Sequence, residues 1–140
     1  MDKDFGKHVI IDFAGGDGYK TFEDKGNIHD FVIELCNKIK MERYGKPQIE
    51  WFGNDNVEGF SFVQLITTSL VSGHFCGDYE KFPHTSSSGY IDVFSCKDFS
   101  EKTVREVVNK YFNPDKIFIR TFIRSKPITM KHPYCEDSSI

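Results

Sequence analysis

Gly59-Phe60-Ser61-Phe62-Val63-Gln64-Leu65-Ile66-Thr67 and Leu70-Val71-Ser72-Gly73-His74-Phe75-Cys76, with only Thr68-Ser69 between them, decide the fold. Both runs are short, apolar and rich in β-branched or aromatic residues, the composition of strands. Consecutive strands pair most simply antiparallel. Downstream, Gly77 to Ser88 is polar and irregular, with Pro83 and a serine run, and reads as a surface loop that can act as a flap. Gly89 to Ser95 is the next strand and ends at Cys96. Ser100 can cap a helix with Val104, Val107, Val108 and Tyr111 facing inward, ended by Asn113-Pro114. Lys116 to Arg124 alternates Ile117, Ile119, Thr121 and Ile123 against Phe118, Arg120 and Phe122, the period of a last strand.

Upstream, Gly53-Asn54-Asp55-Asn56 is a turn and Gln48 to Phe52 a strand. Ile28, Phe31, Val32, Leu35 and Ile39 recur at helical spacing. They predict a helix capped by Asn27 and running to about Tyr44, where Gly45 and Pro47 stop it. His8 to Phe13 is the first strand. The glycines at 15, 16 and 18 read as a turn, because no helix opens directly after them and the Gly-Lys-Ser/Thr of a phosphate loop is missing. The expected architecture is an α+β two-layer sandwich, an antiparallel sheet with both helices packed on one face. Residues 1–126 form one domain in this reading, and 127–140 a loose tail.

The chain has 140 residues, 39% hydrophobic and 28% charged, enough for one modest core. A net charge of -3 with scattered Lys and Arg argues against a nucleic-acid partner. No apolar run approaches the ~20 residues of a membrane span, and Met1-Asp2-Lys3-Asp4 does not open an export signal, so a cytoplasmic protein is expected. Cys36, Cys76, Cys96 and Cys135 form no Cys-x-x-Cys pair, and His29, His84 and His132 have no partners at ligand spacing, so no metal is expected. Free thiols fit that compartment.

The chemistry-bearing residues gather at strand ends. Ser69 follows one strand, His74 lies five residues on, and Cys96 closes another. Serine, histidine and cysteine are the side chains that nucleophilic and proton-transfer chemistry most often uses. Singly, each is ordinary: a turn serine, a satisfied histidine, a small buried thiol. Their joint spacing is what points to a site.

That spacing carries a resemblance. Phe5-Gly6-Lys7-His8-Val9-Ile10-Ile11, Glu58-Gly59-Phe60-Ser61 and above all Tyr90-Ile91-Asp92-Val93-Phe94-Ser95-Cys96 resemble segments of the prokaryotic-type S-adenosylmethionine decarboxylase proenzymes, over roughly the first 125 residues. The family's Glu-Ser-His-Leu-x-x-His segment, read without gaps from Gly59, puts its serine on Ser69 and its second histidine on His74. Thr68 stands where that segment has Glu, and Leu70 where it has His.

The resemblance implies cleavage between Thr68 and Ser69 by the Ser69 hydroxyl, leaving a pyruvoyl group as cofactor. It also implies proton handling by His74 and Ser61, and a proton returned to substrate by Cys96. It further implies a homodimer of polyamine biosynthesis acting on S-adenosylmethionine. Phe52 is one candidate to stack on the adenine, and Asp78 or Glu80 to meet the ribose. An acidic pocket of Asp55, Asp78 and Glu80 would instead suit arginine or ornithine. A chain that never cleaves and only binds S-adenosylmethionine is the remaining alternative.

Overall fold

The structure is a computed structural model and describes residues 5–15, 24–53, 58–77 and 87–126. Strand β1 (Phe5–Ala14) leads to helix α1 (Lys25–Lys38), then β2 (Gln48–Gly53), β3 (Glu58–Ile66), β4 (Ser69–Gly77) and β5 (Ser88–Ser95). Helix α2 (Glu101–Phe112) and β6 (Lys116–Ser125) follow. One six-stranded sheet, in the order β2-β3-β4-β5-β1-β6, pairs antiparallel throughout. Residues 78–86 of the expected flap, the tail, and the Gly53–Asn56 turn beyond Gly53 fall outside the described residues, while the flap's ends at Gly77 and Ser88 belong to β4 and β5.

Alternation sorts the sheet into two faces. Val9, Ile11 and Phe13 of β1, Ile91 and Val93 of β5, Val71 and Phe75 of β4, and Phe60, Phe62 and Ile66 of β3 are buried on one side. Both helices cover that side: Phe31 of α1 meets Phe62, and Phe112 of α2 meets Phe13, Phe75 and Phe31. Gly73 and Gly89 make room for this packing. A Cβ on either would stand 2.2 Å from the ring of its cross-strand partner, Phe62 or Phe13. Among the described residues no helix covers the opposite face, which shows Leu65, Leu70, Tyr90, Phe118 and Phe122 to the outside.

The helices depart from expectation at their ends. Asp24, not Asn27, caps α1: its carboxylate accepts from the amides of Gly26 and Asn27. α1 also stops at Lys38 rather than Tyr44. The next residues pair with β3 instead, Tyr44 N–H donating to Leu65 O and Thr67 N–H to Glu42 O. A helix could not make those bonds, so tertiary pairing overrides local propensity here. Ser100 caps α2 as expected, while the fully buried aromatic of that helix is Phe112 and Tyr111 packs at its margin.

Lys7 anchors the segment after β5. Its ammonium is buried, donates to Phe99 O at 2.6 Å and to Asp98 at 3.2 Å, and pairs with Glu101. Burial alone would lower its pKa; the two carboxylates outweigh this and raise it. Asp98 and Glu101 are lowered in turn, chiefly by their bonds to Lys7. The sign of the linkage follows. The carboxylates' contribution is present at neutral pH and fades as acid takes them through the range below about pH 4.5. The lysine's fades only as alkali takes it past about pH 10.5. Lys7→Met is expected to cost about 2 kcal/mol at neutral pH, a midpoint drop on the order of 6 °C. Thermal melts from pH 3 to 8 check this: the gap to the unaltered protein must narrow in acid, and a pH-independent gap would show that packing, not charge, is responsible.

Candidate active site

Two clusters form at different places on the sheet. The first lies on the helix-free face, where the β3–β4 register sets Ser61 opposite His74. The Ser61 hydroxyl and His74 Nδ1 are 2.7 Å apart, a hydrogen bond that holds the imidazole in one orientation. Phe52, from β2, stacks on the same imidazole with ring centroids 4.5 Å apart and planes 14° from parallel. A histidine held by a hydroxyl on one side and a ring on its face is oriented to move a proton at Nε2.

The second cluster surrounds the β3–β4 turn. The β4–β5 register opposes Ser69 to Ser95, which brings Thr68 beside Cys96. Cys96 points two donors at the same oxygen: its backbone N–H lies 3.1 Å from Thr68 O and its thiol 3.0 Å. That oxygen belongs to the peptide bond joining Thr68 to Ser69. Paired donors on a carbonyl polarise it and stabilise negative charge that forms there on attack. The Cys96 side chain is exposed, unlike the other described thiols. Burial pushes Cys36 up to about 11 and also raises Cys76, so neither is a ready nucleophile or proton donor at neutral pH.

The structure therefore brings Ser61 to His74, and Cys96 to the Thr68–Ser69 bond, but it does not bring the two clusters together. Ser69 and His74 sit on one extended strand, five residues and so about 16 Å apart. His74 of one chain cannot serve Ser69 of the same chain in this fold. Phe52 is engaged with His74 rather than standing as a free platform. Asp55, Asp78 and Glu80 lie outside the described residues.

Sequence reading missed two neighbours of the turn, Ser95 and Met41. Thr68 Oγ1 is 2.7 Å from Ser95 Oγ and 3.4 Å from Met41 Sδ. A hydroxyl at an inward position of β5, in line with Ile91 and Val93, was the available signal for Ser95. Met41 carried none, since its place depends on where α1 ends. Among the described residues no group of three His, Cys, Asp or Glu could hold a metal, and no helix is long and apolar enough to cross a membrane.

A helix-backed antiparallel sheet that bears a hydroxyl–imidazole pair, with a thiol addressing a turn carbonyl, defines a small α+β sandwich equipped for acyl and proton-transfer chemistry. The S-adenosylmethionine decarboxylase family model matches residues 7–125, and the chain belongs to that family. The fold is also that of the crystal structure of the adenosylmethionine decarboxylase from Aquifex aeolicus VF5, with a TM-score of 0.68. The two share 20% identity over 89% of this chain and 94% of that one. No curated protein matches the chain significantly in sequence.

Proposed function

We propose that this protein is a pyruvoyl-dependent decarboxylase of polyamine biosynthesis, which cuts itself between Thr68 and Ser69 and then acts on S-adenosylmethionine. One observation carries the reading: both donors of Cys96 converge on the Thr68 carbonyl oxygen. Ser69 Oγ adds to that carbonyl, and the oxyanion forms against the Cys96 N–H and thiol. The amide nitrogen takes a proton and leaves the carbonyl carbon, so the peptide becomes an ester. Loss of the Cα proton then expels the Thr68 carboxylate. The resulting dehydroalanine tautomerises, takes up water and releases ammonia, which leaves pyruvoyl at position 69. The two fragments together are one water heavier and one ammonia lighter than the precursor.

These steps need a base, and among the described residues His74 lies about 16 Å from Ser69 along β4. We propose a homodimer in which Ser61 and His74 of one copy serve Ser69 of the other. The helix-free face, which exposes Leu65, Leu70, Tyr90, Phe118 and Phe122 and also carries the Ser61–His74 pair, is the surface that would meet a second copy. A substrate held between copies would then meet Phe52, with Asp55, Asp78 and Glu80 as the proposed polar contacts. The pyruvoyl group supplies a ketone that withdraws electrons from a bound amino acid as carbon dioxide leaves. The Cys96 thiol holds the proton that returns to the substrate carbon.

Intact-mass spectrometry over time tests the cleavage: fragments 1–68 and 69–140, the second with a pyruvoyl cap, are expected. A chain that stays whole through long incubation rejects self-processing and leaves a binding protein. Carbon dioxide release from S-adenosylmethionine, arginine and ornithine, compared side by side, tests the substrate. Cys96→Ala keeps the backbone donor and loses the thiol. Cleavage is expected to slow about 10-fold and turnover of the cleaved enzyme to fall at least about 100-fold. Turnover at the parent rate would remove Cys96 as proton donor.

A further inference from the structure

Three hydroxyl residues stand in a row at the turn, Thr67, Thr68 and Ser69. Each hydroxyl could attack the carbonyl of the residue before it, so self-cleavage has competing sites. The surroundings of Thr68 separate them. Its Oγ1 is 2.7 Å from Ser95 Oγ, and both hydroxyls contact Met41 Sδ, at 3.4 Å and 3.6 Å. Ser95 is fully buried, and its Oγ also accepts the Lys97 N–H at 2.9 Å, one residue past Cys96. A single buried hydroxyl thus touches the turn on one side and the Cys96 segment on the other.

We propose that Ser95 is a positioning residue that selects the bond to be cut. By holding Thr68 Oγ1 against itself and Met41, it withholds that hydroxyl from the Thr67 carbonyl. By the same contact it keeps the Thr68 carbonyl turned to the two donors of Cys96. The inference rests on the self-cleavage reading and adds to it the choice of nucleophile. The misdirected reaction balances in the same way. Thr68 Oγ1 would form an ester with the Thr67 carbonyl, elimination would free the Thr67 carboxylate, and one water in and one ammonia out would leave a 2-oxobutanoyl cap at position 68.

The test is a cleavage time course by intact mass for the unaltered protein, Ser95→Ala, Ser95→Thr and Thr68→Val. Ser95→Ala is expected to cut at 68/69 about 10-fold more slowly and to yield some fragment capped at 68. Ser95→Thr retains the hydroxyl and the parent pattern. Thr68→Val removes the hydroxyl from the less buried side of the pair, slows cutting to a similar degree and yields no fragment capped at 68. Combining Ser95→Ala with Thr68→Val should slow cutting no further than either alone. Parent rate and site in Ser95→Ala overturn the proposal, as does full additivity in the double variant. Should Ser95→Ala fail to fold by circular dichroism, Thr68→Val alone decides.

If the unaltered protein never cleaves, the functional reading fails, and the positioning is read from Cys96 itself. Its alkylation by iodoacetamide, followed on the Cys96 peptide, is expected to run several-fold faster in Ser95→Ala and Thr68→Val than in Ser95→Thr, because the thiol is released from Thr68 O. Equal rates in all three overturn the positioning.

Discussion

Ser69→Ala is expected to remain a single chain under conditions in which the unaltered protein divides at Thr68–Ser69. Nothing else at the turn can replace that hydroxyl. The atom that attacks must belong to the residue whose own nitrogen leaves, so that the amide exchanges for an ester through a five-membered ring. The donors of Cys96 address only the Thr68 carbonyl, and Thr68 Oγ1 is occupied by Ser95. Removing a nucleophile with no substitute lowers such a step at least about a thousandfold. Incubation for days with intact-mass readout checks the expectation. Fragments ending at Thr68 in the alanine variant would show that water or another group cuts the bond. Decarboxylation should vanish with cleavage, since the electrophilic ketone forms only from the cut serine.

Mixing two inactive chains should restore activity to one of them. His74→Ala loses the imidazole that Ser61 orients, and its self-cleavage should fall by about a hundredfold or more. Ser69→Ala keeps that imidazole and lacks the nucleophile. Within one chain the two groups are about 16 Å apart along β4, so neither variant can be repaired internally. In a mixed dimer the Ser69→Ala chain lends its Ser61–His74 pair to the intact Ser69 of its partner. Random pairing at equal amounts puts about half of the His74→Ala chains into mixed dimers, which sets the expected yield. With a mass tag on the His74→Ala chain, fragments must come from that chain only. No cleavage after refolding the mixture would reject the shared site and require a base closer to Ser69 in its own chain. Because a shared site needs two copies in contact, the experiment also tests the proposed dimer.

Much of the sandwich was legible because its signals are local. Alternation along Lys116–Arg124 marks a strand whatever it pairs with, and the stripe Ile28, Phe31, Val32, Leu35 marks a helix face whatever covers it. The end of α1 was not legible, since Met41–Tyr44 carries no breaker and leaves the helix only because β3 offers it backbone partners. The pairing of Ser61 with His74 was within reach of the sequence, because a two-residue turn at Thr67-Thr68 sets the register and directly opposed residues share a face.

What the sequence determined by itself was the inventory: six strands, two helices, a family, and which hydroxyl, imidazole and thiol to watch. Only the tertiary structure decided who meets whom. It set β1 between β5 and β6, turned Cys96 onto the Thr68 carbonyl, buried Ser95 against Thr68, and held His74 away from Ser69. The reason is physical: periodicity and caps act over a few residues and are written in each segment. Strand order and cross-sheet contacts join residues far apart in the chain, and they are settled only when the faces that must be buried find each other.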